Sequence, residues 1–167
     1  ECKGQGEISI KNGKNGAGNG GGIGIKTGSG LKEGGDITIE GGTGFTRKGS
    51  SINISSGASA SATASSGDIS IESASVSNEN VDSGSMAFSS GESNAGDSGS
   101  ITVASGNAQE QAGSIAMAVG VSYESATGGS MTVSSGASIL GSGGELVVAS
   151  GAGNKAGGAI TIEGGTG

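Results

Sequence analysis

Apolar residues fall in pairs along this chain, each pair separated by one small or polar residue. The pairs are Ile8 and Ile10, Ile23 and Ile25, Ile37 and Ile39, Ile52 and Ile54, Ile69 and Ile71, Met86 and Phe88. They continue as Ile101 and Val103, Ile115 and Met117, Met131 and Val133, Leu146 and Val148, Ile160 and Ile162. Successive pairs start 14 to 17 residues apart, with a mean near 15. Alternation of period two is the signal of a short strand with one buried face. A turn of this length has no room for a helix, a strand and two loops. The pattern predicts an all-β fold: one β-solenoid domain over residues 1–167, of eleven coils with about 15 residues each. Coils stacked at a strand spacing of about 4.8 Å would make a rod of roughly 50 Å.

Glycine is held in phase with the pairs. It stands two residues before the first apolar position in ten of eleven turns, with Ser50 the exception. It stands three residues after the second in ten of eleven, with Ala74 the exception. This register argues against a Gly/Ser-rich linker, which has no reason to keep phase. The glycine columns mark corners, where the chain needs either positive φ or a close approach of backbone to backbone. The absence of Pro fits strands whose N–H groups all have a partner. Leu31, Phe45, Tyr123 and Ile139, each six residues after a pair, read as a second, thinner wall of the core. The longest connections, 57–66 and 74–83, read as bulges from the rod.

Residues between and beside the pairs should face outward. From Ser85 to Ser134 they are almost all Ser, Thr or Ala, including Ser100, Thr102, Ser114, Ser130, Thr132 and Ser134. Such a flat uncharged face suits lateral packing on another copy or O-linked sugars. Asn53-Ile54-Ser55 is an N-glycosylation sequon, with Asn53 facing out. An ice-binding face would need ordered Thr rows. One outward column instead runs Ser9, Gly24, Thr38, Asn53, Ser70, Ala87.

Charge and composition remove most other functions. The net charge of −7 disfavours nucleic acid, which needs Lys and Arg to neutralise phosphate. Residues 1–48 carry a net +2 and residues 49–167 a net −9. No apolar run approaches the length of a membrane span. With no His and one Cys, zinc, haem, Cys–His and Ser–His–Asp sites cannot be assembled. Asp36 with Glu40, and Asp68 with Glu72, are carboxylate pairs, but the aromatic and basic groove that a sugar-cleaving site needs is missing. They read as solvated surface. No cofactor or metal is expected, and no enzymatic activity. Cys2 cannot pair within the chain.

Residues 34–44 and 157–167 differ only at Asp36 and Ala159. The last coil thus reads like an interior one, and neither end shows a polar cap. The expectation is an array continued by more of the same chain or by the next molecule, with Ile8 and Ile10 of one copy stacking on Ile160 and Ile162 of another. The basic N-terminal third would favour one polarity of stacking on the acidic remainder.

The turns Ser98-Gly99-Ser100-Ile101-Thr102-Val103-Ala104-Ser105-Gly106 and Gly128-Gly129-Ser130-Met131-Thr132-Val133-Ser134-Ser135-Gly136 resemble those of the long Gly/Ser-rich repetitive proteins of diatoms and related microalgae. The resemblance covers nearly the whole chain. It implies a secreted, repetitive surface or matrix protein and brings no catalytic residues. The expected function is structural: a glycosylated extracellular filament or matrix block that assembles end to end through open solenoid ends. The alternative is an ice-binding or adhesin-stalk solenoid.

Overall fold

The computed structural model describes residues 6–13, 15–16, 18–78, 80–124 and 127–166. Among them there is no helix and no β-strand. The expected β-solenoid is therefore not the fold, and no parallel ladder or β-helix joins successive turns. No described residue is buried, and every large apolar side chain is at least 42% exposed. The chain leaves 17082 Å² accessible, against roughly 7,000 Å² for a compact protein of its mass. The second wall is absent as well: Leu31, Phe45, Tyr123 and Ile139 are almost wholly exposed, at bends of the chain.

A physical reason lies in the composition. Each turn carries two large apolar residues among about fifteen. Burying one contributes about 1.5–3 kcal/mol. The entropy lost on ordering the backbone counts every residue of the turn, and it is greatest for Gly. Local alternation is present, but the gain from stacking one turn on the next is small.

The repeat survives in another form. Gly35 donates its N–H to the Gly28 carbonyl, Ser50 to Gly42, Gly67 to Gly57, Gly144 to Gly136 and Gly158 to Gly151, at 2.8 to 3.1 Å. Every donor stands two residues before an apolar pair, and every acceptor stands three residues after the preceding pair. The two glycine columns thus meet each other within the chain and close a loop between pairs. These are Ω-like loops, their ends close together and their contents short. The chain bends near the middle of each one, at 31–32, 45–47, 61–63, 139–141 and 154–155.

At the tightest necks, close approach explains a glycine in the column. A Cβ built at Gly35 would stand 3.2 Å from the Thr27 Cβ, and one at Gly129 would stand 2.7 Å from the Val119 Cγ1. At Gly67, Gly99, Gly144 and Gly158 the facing atoms are the Cβ of Ser56, Ser90, Ser135 and Ser150. In each case the facing residue is the second after the preceding pair. Ser50 breaks the glycine column, and at that neck the facing residue is Gly41. A Cβ on Gly41 would stand 3.1 Å from the Ser50 carbonyl oxygen and 3.4 Å from its Cβ. The side chain has crossed the neck without widening it. None of the described glycines has positive φ. Of the two reasons for a corner glycine, close approach operates at Gly21, Gly35 and Gly129, while at Gly67, Gly99, Gly144 and Gly158 the 3.5–3.6 Å spacing would admit a Cβ.

The remaining exception, Ala74, stands where the acceptor glycine would be. Its connection, 74–83, has no backbone hydrogen bond at the neck among the described residues, and neither do 91–99, 106–113 and 120–129, where both glycines are present. The 74–83 connection contains Asn80 at φ 60, a left-handed conformation that Asn tolerates better than most residues. The first neck is closed differently: the Asn12 side-chain amide donates to the Gly22 carbonyl at 2.8 Å.

By internal contacts the chain divides into two units, Glu1–Met86 and Ala87–Gly167. The first holds the necks at 28–35, 42–50 and 57–67, and the second those at 136–144 and 151–158.

Candidate functional site

The apolar pairs are presented in a repeated geometry. Within each interior pair the first residue is the more covered: Ile52 is 52% exposed and Ile54 68%, Ile101 59% and Val103 74%. The same ordering recurs in every interior pair. Ile8 is 94% exposed and Ile162 91%, the highest values in their columns. Ile10 and Ile160, their partners, are also exposed. The four residues assigned to an assembly contact are thus open, but no open strand edge accompanies them. Cys2 lies outside the described residues.

Ser100, Thr102, Ser114, Ser130, Thr132 and Ser134 are all exposed. They do not form the flat sheet face expected of them, because the described residues form no sheet. Asn53 is exposed in an unbent stretch between Ile52 and Ile54, so its amide is open to a modifying enzyme. Asp36, Glu40, Asp68 and Glu72 are exposed as well. An open recess lies along Glu72, Ser73, Ala74 and Ser75, beside the neck that lacks its glycine. No three metal-ligating side chains converge among the described residues. No helix among them is long and apolar enough to cross a membrane.

Other hydroxyls have local partners that the sequence reading did not assign. Ser93 Oγ accepts the Gly96 N–H at 3.0 Å, and Ser138 Oγ accepts the Gly141 N–H at 2.9 Å. In the 57–66 connection Ser59 Oγ accepts from the Ser61 N–H, and Ser61 Oγ from the Thr63 N–H, each at 3.2 Å. Ser61 and Thr63 also share a 3.2 Å hydrogen bond between hydroxyls. Ser59, Ser93 and Ser138 stand five residues after a pair, where other loops have Gly30, Gly44 and Gly153. At those glycines a Cβ would collide with the carbonyl oxygens of Glu33, Arg47 and Ala156. One loop position thus turns the chain in two ways, by a side-chain oxygen that accepts an N–H or by the absence of any side chain. The signal was the fixed distance from the pair, visible only once the loops had ends.

The loop tips are the other feature missed. Leu31, Phe45, Tyr123, Ile139 and Leu140 place bulky apolar groups in solvent. With the pairs they form two sets of uncovered apolar positions, one on the connecting segments and one on the loops.

The chain matches no protein-family model, no curated protein and no solved structure.

Proposed function

We propose that the chain is a structural protein, a building block of an extracellular filament or surface matrix that associates with copies of itself and carries glycans. The observation that supports this most is the uncovered state of all the apolar pairs at one repeated spacing. Eleven pair residues lie in each unit, Ile8 to Met86 and Phe88 to Ile162. At roughly 60–80 Å² of exposed apolar surface each, one unit would contribute about 700–900 Å². That is about what each partner brings to a stable protein interface. A second copy supplies matching spacing, because its own pairs recur at the same interval. The contact is between rows of side chains, not between open strand ends.

The experiment is sedimentation velocity on the purified chain over rising concentration, with electron micrographs of the same samples. Growth into elongated or sheet-like assemblies is expected. A chain that stays monomeric at every concentration would remove self-association from the account.

Glycans are the second part of the reading, motivated by the exposed Asn53 and the exposed Ser/Thr positions. The intact mass of the native protein should exceed 15.4 kDa by several hexose units, with one glycan released by an amidase that cleaves at Asn. A native mass equal to that of the bare sequence would exclude them.

A further inference from the structure

Three asparagines near the start of the first unit each precede a glycine: Asn12-Gly13, Asn15-Gly16 and Asn19-Gly20. No other Asn in the chain does. Asn53, Asn78, Asn80, Asn94, Asn107 and Asn154 are followed by Ile54, Glu79, Val81, Ala95, Ala108 and Lys155. All three pairs are exposed. None of Gly13, Gly16 and Gly20 donates its N–H in a backbone hydrogen bond among the described residues. A backbone nitrogen that is unpaired, and has no Cβ beside it, can approach the preceding side-chain amide.

We propose that these three dipeptides are a self-modifying segment, in which spontaneous deamidation reverses the charge of the N-terminal third and loosens chain-to-chain association. In each step the glycine N–H loses its proton to solvent base and the nitrogen attacks the Asn Cγ. A C–N bond forms, the Cγ–Nδ2 bond breaks, and ammonia leaves with a proton from water. Water then opens the cyclic imide at either carbonyl, leaving an Asp or an isoaspartyl linkage. One neutral amide becomes one carboxylate, with no oxidant, reductant or cofactor.

The structure also sets an order. The Asn12 amide is engaged across its neck with the Gly22 carbonyl at 2.8 Å, which holds it away from Gly13. The Asn15 amide donates to the Asn19 carbonyl at a longer 3.2 Å. The Asn19 side chain has no hydrogen bond among the described residues. Asn19 reacts before Asn12, with Asn12 roughly 2- to 10-fold slower, the weight of one hydrogen bond. Full conversion takes residues 1–48 from a net +2 to −1. The remainder stays at −9, so attraction between the two regions turns to repulsion. This last consequence rests on the self-association proposed above.

The test incubates the full-length, unglycosylated chain at mildly alkaline pH and follows each Asn by peptide mass. The expected result is conversion at all three ahead of Asn53, Asn94 and Asn107, with Asn19 faster than Asn12. Equal rates at the last three would overturn the site, and Asn12 as fast as Asn19 would overturn the order. In parallel, a chain with Asn12→Asp, Asn15→Asp and Asn19→Asp is compared by sedimentation with one carrying Gln at the same positions. The Asp form should associate more weakly. Equal association of both forms would overturn the link to assembly while leaving self-association standing. A wild-type chain that never associates would overturn self-association and the link together, while the mass measurement judges the chemistry independently.

Discussion

Asp at Ile101, Ile115 and Met131 together should leave the single chain as it is and abolish its association. Each of these positions is more than half exposed, so a carboxylate there keeps its water and costs the isolated chain little. In an assembly built on the apolar pairs the same groups would be covered. Each substitution would forfeit at least 1 kcal/mol of apolar burial, roughly, and add the cost of desolvating a charge. The midpoint for association should rise by about tenfold or more per position. Asp at Thr102, Ala116 and Thr132, the residues between, adds the same charge without removing an apolar group and should shift it less. Sedimentation gives the midpoints, and circular dichroism checks the single chain. Equal loss from the two triple substitutions would mean that charge alone governs association. A changed spectrum for the first would mean that the pairs are covered within the chain.

Gly41→Ser should open the loop between Gly42 and Ser50, whereas Gly57→Ser should leave its own loop closed. A Cβ at Gly41 would stand 3.1 Å from the Ser50 carbonyl oxygen, a backbone atom that cannot swing aside, while one at Gly57 meets nothing within 4 Å. Overpacking costs about 1–3 kcal/mol, more than the about 0.5–1.5 kcal/mol that a single hydrogen bond contributes. The bond from the Ser50 amide to the Gly42 carbonyl, 3.0 Å long, should therefore be lost, and that from Gly67 to Gly57 kept. Amide hydrogen exchange at positions 50 and 67 reports the two bonds. Equal protection at position 50 before and after the change would mean that position 41 does not face this neck.

The sequence carried the period, and the period is real: necks and bends keep phase with the apolar pairs. The exceptions to the glycine columns were visible too, but their meaning was not. Ser50 needed Gly41, nine residues away, and nothing in a linear reading joins them until the loop is closed. Strands were read from alternation such as Ile52-Asn53-Ile54, and alternation is a local property. Strand pairing is not, since it depends on what a neighbouring turn offers across many residues. Leu31 and Phe45 were assigned to a wall because they recur in phase. They recur in phase at the tips of loops, where recurrence gives no burial. The candidate sites fared similarly. Asn53 and the Ser/Thr positions are exposed like every other described residue, and the flat face meant to display them needed a sheet.

The loops closed at necks hold different lengths of chain: six residues between Gly28 and Gly35, nine between Gly57 and Gly67. Closing a longer loop costs little more than closing a shorter one, because the entropy grows only with the logarithm of length. A neck with its pair is thus a unit that depends on no distant partner. An inherited duplication or loss of about fifteen residues would leave every other loop with both of its ends. Residues 34–44 and 157–167, alike but for Asp36 and Ala159, are what such copying would leave behind. Selection on this protein could then act on the number of turns, and so on its reach, without having to rebuild a fold each time.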